Sequence, residues 1–265
     1  MPKILLYISI IIPSVIICLG VVIYVYQERL IFYPEKLSEK HIYKFSVPFE
    51  ELYIQTPDGK KINALLFKSN NSKGVVFYHH GNAGNLEYWG AKAIDFTSRN
   101  YDVLMYDYRS FGKSTGKIKN EKMLHNDAKL IYNELLKMYE KENIIFFGIS
   151  LGSGIAAKLA YEITPKKLIL ETPYYNFYDV SKYHYPYLPN SILLHYQFKT
   201  NQWLPEISVP IHLIHGTEDE TVPFEMAVKL ERLGKNIDLC RITNGSHNNI
   251  TTFDKYQTYL NQVLN

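Results

Sequence analysis

The chain has 265 residues, 46% hydrophobic and 21% charged, with a formal net charge of +3. That is enough apolar material for one large core, and the length allows one or two domains. The near-neutral balance, without a long basic run or interleaved aromatic and basic residues, argues against nucleic-acid binding.

From Ile4 to Tyr26 the segment "ILLYISIIIPSVIICLGVVIYVY" carries no charge. It is long enough to cross the roughly 30 Å hydrocarbon core of a bilayer as a helix. Pro13 and Gly20 weaken a soluble helix but are tolerated in a membrane one. A cleaved signal shows a shorter apolar core and a small-residue cleavage site, whereas this run ends in "YVYQERL". We expect a retained single-pass anchor over 1–28 and one further domain over 29–265. Lys3 alone precedes the span, while Arg29, Lys36, Lys40 and Lys44 follow it. The positive-inside rule then leans toward a cytoplasmic domain.

The two cysteines are Cys18, within the apolar run, and Cys240, in a distant predicted strand. A disulfide between them is implausible, and neither sits in a turn beside a base, so both read as buried structural thiols.

After the anchor, "ELYIQT" (51–56) and "KINALLFK" (61–68) alternate like strands, and "PDGK" between them signals a hairpin. The pattern then changes to short apolar runs: "GVVFYHHG", "YDVLMYDY", "NIIFFG", "KKLILET", "VPIHLIHG" and "IDLCRIT". Helical periodicity fills most of the gaps, at 85–99, 121–140, 152–162 and 224–233. Strands apolar on both faces and alternating with helices predict a mainly parallel sheet covered on both sides, an α/β fold. Residues 174–209 interrupt the alternation with an insertion rich in Tyr and Phe. We expect a small helical lid there.

The stretch "GISLGSG" (148–154) carries two motifs at once. From Gly152 it matches the dinucleotide-binding Gly-x-Gly-x-x-Gly/Ala, with Glu171 near the spacing of a ribose-binding acid. That fingerprint needs its first glycine at the strand end, and here Ile149, Ser150 and Leu151 intervene. "FGKSTGK" (111–117) resembles the end of a phosphate-binding loop, but Asp107 stands where that loop needs a glycine. Both nucleotide readings fail on geometry, so no cofactor is expected.

From Gly148 the stretch is Gly-x-Ser-x-Gly, a sharp strand-to-helix turn that presents Ser150 as a nucleophile. Gly148 and Gly152 are small because a side chain at either would crowd the turn. The Leu151 N–H, at the helix N-terminus, faces the oxyanion formed when Ser150 attacks a carbonyl. Such a site needs an acid and a histidine, in that chain order. Of nine histidines, only His247 follows the acidic loop "GTEDETVP". Within that loop Asp219 is preferred, because it precedes Val222–Pro223 at the turn into the next helix, with Glu218 second. Asp219 would fix the His247 tautomer, and His247 would take the Ser150 proton. The turn "HHGNAGN" (79–85) offers the Asn82 N–H as second oxyanion donor. His79 and His80 read as packing beneath the site. They point to opposite faces of their strand, as do His212 and His215, so no metal is expected.

Six stretches in this order, "ERLIFYP" (28–34), "HHGNAGN", "YDYRSFGKSTG" (106–116), "GISLGSG", "HGTEDETVP" (215–223) and "GSHNN" (245–249), resemble the Bem46-type α/β-hydrolases. These include the eukaryotic α/β-hydrolase domain-containing proteins 13 and 17 and bacterial relatives, and the likeness covers essentially the whole chain. It implies an α/β-hydrolase fold and a serine hydrolase with Ser150, Asp219 and His247 as triad. Two departures stand out. Ser110 replaces a glycine usual in the family, and a membrane span stands where depalmitoylating members carry a cysteine cluster. The expected substrate is a carboxylic ester or thioester of a lipid-like or acylated compound. A peptide bond, or a non-catalytic binding module of the same fold, stays open, and nothing in the sequence fixes an oligomeric state.

Overall fold

The computed structural model describes residues 2–265, with side chains described at Tyr7 and from Ser9 onward. The first residue of the expected anchor and the side chain of Lys3, on which the orientation argument leans, lie outside the described residues. The chain opens with helix α1 (Pro2–Ile31). A two-residue strand, β1 (Tyr33–Pro34), follows. The hairpin is β2 (Phe49–Gln55) and β3 (Lys61–Phe67). Then come β4 (Val75–His79), the short β5 (Ala83–Gly84), α2 (Leu86–Trp89), α3 (Ile94–Thr97) and β6 (Asp102–Tyr106). They are followed by α4 (Glu121–Leu135), β7 (Ile144–Ile149), α5 (Leu151–Glu162) and β8 (Lys167–Glu171). The insertion holds α6 (Phe177–His184), α7 (Asn190–Leu193) and α8 (Thr200–Trp203). Last are β9 (Ile211–Gly216), α9 (Phe224–Glu231), β10 (Ile237–Ile242) and α10 (Asp254–Leu264).

Eight strands form one sheet in the order β10-β9-β8-β7-β4-β6-β3-β2. From β10 to β6 every pairing is parallel, and β3 pairs antiparallel with both β6 and β2. The sequence hairpin is thus the antiparallel edge. Alternate residues of each central strand feed two cores. Phe77, Phe146, Leu168 and Leu213 face one side, with Ile131 of α4, Ile155 of α5 and Leu230 of α9. Tyr78, Phe147, Ile169 and Ile214 face the other, with Phe96 of α3 and Leu260 of α10. At roughly 1.5–3 kcal/mol for each large apolar side chain removed from water, these layers supply most of the driving force for folding. Strands buried on both faces have no polar alternation, which is why they read as continuous apolar runs.

Two expectations shift, and the insertion takes a defined form. The predicted helix over 85–99 is broken, because a 3₁₀ turn at Gly90–Ala93 separates α2 from α3. A Cβ at Gly90 would lie 2.4 Å from the Phe45 ring, so the turn tightens where loop 45 presses in. Cys240 is buried, but Cys18 is exposed on α1, because the outer face of that helix has no protein neighbour. The insertion's aromatics divide: Tyr174, Tyr196 and Phe198 are buried, whereas Tyr183, Tyr185 and Tyr187 are exposed.

Candidate active site

β7 ends at Ile149 and α5 starts at Leu151, leaving Ser150 alone to make the turn with φ 50° and ψ −116°. Positive φ is costly for a residue with a Cβ, and strain of this kind aims the hydroxyl outward from the sheet. The backbone holds it: Ser150 N–H donates to the Glu171 carbonyl at 2.9 Å, tying the turn to the end of β8. Neighbouring chain leaves no room for side chains on either flank. A Cβ at Gly148 would meet the Gly152 carbonyl oxygen at 2.3 Å, and one at Gly152 would meet the His79 carbonyl oxygen at 2.1 Å.

His247 lies in the loop after β10, with Nε2 3.1 Å from Ser150 Oγ and Nδ1 2.7 Å from Asp219 Oδ2. An Nδ1–H donated to the carboxylate leaves Nε2 bare to accept from the serine hydroxyl. The Asp219 side chain is buried between exposed Glu218 and Glu220, so only the middle acid of "EDE" turns inward. Its Oδ1 accepts from Thr221 N–H at 2.9 Å and Val222 N–H at 2.8 Å. Burial pushes the Asp219 carboxyl up. Hydrogen bonds from His215 and His247, the charge of His247 and the Val222 N–H outweigh that and hold it well below the usual carboxylate range.

Asn82 and Leu151 line one cavity with Ser150, so both predicted oxyanion donors belong to residues beside the hydroxyl. Leu151 opens α5, and a first-turn N–H has no intrahelical acceptor. His79 and His80 pack beneath the site: His79 Nδ1 meets Tyr106 OH at 2.8 Å, and His80 Nδ1 meets the Gly81 carbonyl oxygen at 2.7 Å. Burial lowers them to about 3 and about 4, so both are neutral near pH 7. One residue of each nucleotide motif is engaged within the protein. Glu171 Oε2 accepts from Tyr256 OH at 2.6 Å, and Lys113 is buried with Nζ 2.8 Å from Glu51 Oε1.

A family model described as serine aminopeptidase, S33, matches residues 70–186, a span that includes Ser150 and ends before Asp219. The uncharacterized protein R595 of Acanthamoeba polyphaga mimivirus is 33% identical over 237 residues, 81% of this chain and 80% of that protein. The human alpha/beta hydrolase domain-containing protein 17B is 28% identical over 243 residues, 86% of this chain and 81% of its own. The esterase Pf2001 of Pyrococcus furiosus superposes with a TM-score of 0.70 at 22% identity, covering 87% of this chain and 98% of that one. The chain belongs to the α/β-hydrolase family of serine hydrolases.

Within this hydrolase, Ser110 has φ 74°, a left-handed conformation that suits the glycine usual at that place. Two features escape the sequence. His215 Nε2 lies 3.1 Å from Asp219 Oδ2, a contact made only because the turn after β9 folds back on its own strand. The other is α1, whose residues Ile23, Gln27 and Leu30 line the cavity that reaches Ser150. A uniformly apolar helix gives no periodic signal of which face is packed.

Proposed function

We propose that this serine hydrolase is membrane-anchored through α1 and cleaves carboxylic esters or thioesters of lipid-like or acylated substrates. The observation that carries the reading is the row Asp219–His247–Ser150, two hydrogen bonds long and ending at a half-buried hydroxyl on a strained turn. In the proposed mechanism Ser150 Oγ bonds to the acyl carbon as its proton passes to His247 Nε2. The carbonyl π electrons move onto oxygen, and the N–H groups of Leu151 and Asn82 stabilise that oxyanion. Collapse re-forms the carbonyl and expels the alcohol or thiol, which takes the proton from His247. Water then attacks the acyl-enzyme, gives its proton to His247, and the acid leaves as Ser150 is reprotonated.

Two cavities meet at Ser150 and suggest the two halves of the substrate. One of about 430 Å³, lined by Leu151, Phe177, Val180, Leu193 and Leu194 among others, suits an acyl group. The other, about 300 Å³, is bordered by Glu35, Tyr88, His247 and Asn248 and suits the leaving group. The larger cavity has no acidic side chain among its described lining residues to hold an ammonium terminus, which disfavours aminopeptidase action there. Anchoring is supported by the stretch Ser9–Ile31, with mean hydropathy 2.4 and every residue from Ser9 to Leu19 exposed. In this reading the residues after α1 carry the lid and the hydrolase domain, on the side the excess of Lys and Arg makes cytoplasmic.

The test is covalent labelling of detergent-solubilised protein with a fluorophosphonate, beside Ser150→Ala and His247→Ala. Labelling of the wild type, lost in both variants, is the expected result. A folded wild type that takes no label rules the mechanism out and leaves a membrane-tethered binding module.

A further inference from the structure

α1 is docked on the insertion rather than merely attached to the domain. Gln27 makes two contacts there: its Nε2 donates to the Leu193 carbonyl at 3.0 Å, and its Oε1 accepts from His195 N–H at 2.9 Å. Tyr196 OH donates to Glu28 Oε1 at 3.1 Å, and the Tyr24 ring meets His195 edge-on with centroids 3.7 Å apart. Gly20, Ile23, Gln27 and Ile31 follow one another at three- and four-residue spacing and are all at least partly covered, as is Glu28, whereas the other residues from Gly20 to Ile31 are exposed. The helix breaks at Tyr26, where φ is −111° and ψ 15°. The last turn thereby angles onto the domain.

The polar groups along this wall are already paired. Gln27 bonds as above, Ser181 Oγ donates to Asn190 Oδ1 at 2.9 Å, and Asn190 Nδ2 donates to the Tyr185 carbonyl at 2.9 Å. What remains for a ligand is a mostly apolar surface with His184 at its border, and no Asp, Glu, Lys or Arg is among the described residues lining the cavity. Crossing a roughly 30 Å hydrocarbon core takes about 20 helical residues. Counted from Ile4, that distance ends near Ile23, so the docked turns lie at the membrane surface. Exposed Tyr24, Tyr26 and Tyr33, with Arg29 against the Tyr26 ring, are the residue types that settle at such an interface. On α7, which packs on α1, Ile192 is 74% exposed, and Tyr187 just before it is 98% exposed.

We infer that α1 forms one wall of the acyl pocket, and that a substrate with a single long acyl chain slides from the bilayer between α1 and residues 185–194 to reach Ser150. This rests on the hydrolase reading above. A volume of about 430 Å³ is near the low end for ligand cavities, which fits one chain rather than two.

The test uses full-length protein in phosphatidylcholine vesicles, with p-nitrophenyl butyrate and p-nitrophenyl palmitate as substrates. Ile23→Trp fills the wall from α1, Leu193→Trp fills it from the insertion, and Val22→Trp points away from the cavity. The expected result is a wild type that prefers palmitate by kcat/KM. Each pocket variant should lose at least tenfold in the palmitate-to-butyrate ratio, and Val22→Trp should keep the wild-type ratio. An unchanged ratio in either pocket variant that still takes a fluorophosphonate, or a wild type that prefers butyrate, overturns the inference and leaves the hydrolase reading intact. A wild type that cleaves neither ester and takes no fluorophosphonate overturns the hydrolase reading itself.

Discussion

His215 Nε2 lies 3.1 Å from Asp219 Oδ2, the same carboxylate oxygen that His247 Nδ1 reaches at 2.7 Å. Its other neighbour is the Val222 carbonyl oxygen at 2.8 Å, so the ring proton sits on Nε2, between two acceptors. His215 is therefore a positioning residue that stabilises the ionised form of Asp219 and pins the turn at 219–222. Leucine at this position removes the donor and glutamine keeps one. A hydrogen bond to a charged group is worth about 1.5–3 kcal/mol, so His215→Leu should lower kcat by roughly ten- to a hundredfold. His215→Gln should recover most of it. Losing a donor leaves the Asp219 carboxylate a stronger acceptor for the His247 Nδ1–H and a better partner for the imidazolium, so the acid limb of the kcat profile should move to higher pH in His215→Leu. A merely structural role for His215 would leave that limb in place.

Gly152→Ala sets helix propensity against geometry. Alanine in a helix is favoured over glycine by about 1 kcal/mol, so propensity alone predicts a stabler protein. The Cβ, however, would stand 2.1 Å from the His79 carbonyl oxygen and 2.6 Å from that of His80, and backbone at this depth cannot withdraw. Overpacking of this kind costs about 1–3 kcal/mol or more. We expect a lower Tm and a slower reaction with fluorophosphonate, because β4 leads directly into the turn carrying Asn82. A higher Tm would show that the β4–α5 contact is looser than described.

Much of this architecture is legible because each central strand is a short, doubly buried apolar run and "GISLGSG" marks the turn between β7 and α5. The row of Ser150, Asp219 and His247 is likewise readable from chain order. Other features depend on tertiary contacts that no local pattern records. The 85–99 helix breaks where Phe45, forty-five residues before Gly90, fills the space beside that glycine. His215 is correctly placed on the face opposite His212, but its contact with Asp219 depends on how the following turn folds back. α10 did leave a signal: buried Tyr256, Leu260, Val263 and Leu264 fall at helical spacing among polar neighbours.

Ser110→Gly should stabilise the protein. Ser110 holds φ 74° at a half-exposed position, and its side chain makes no hydrogen bond among the described residues. A left-handed backbone costs an L-residue roughly 1–2 kcal/mol. Glycine removes that strain but loses more chain entropy on folding, leaving a net gain of roughly 0.5–1 kcal/mol. Thermal unfolding in detergent should show a rise of about 1–4 °C. An unchanged or lower Tm would mean that the hydroxyl or Cβ contributes as much as the strain costs.

Asp107 gives the molecule a pH dependence away from the triad. It is fully buried, with Oδ2 accepting from Leu86 N–H at 3.3 Å and Oδ1 3.6 Å from His80 Nε2 without a hydrogen-bond partner among the described residues. Burial pushes its carboxyl up to about 8, against which the Leu86 N–H and the charge of Lys36 act only in part. Between the unfolded value of about 4 and the folded value the native state holds a proton that the unfolded chain has released. The sign follows: stability falls as pH rises through that window, by up to about 1.4 kcal/mol per pH unit, and levels off above the folded value. Asp107→Asn keeps the shape, lacks the titration and turns an amide toward His80 Nε2. The difference in stability between Asp107→Asn and wild type should therefore grow in favour of the variant from pH 5 to pH 8. Parallel unfolding curves across that range would show that Asp107 is ionised in the folded protein.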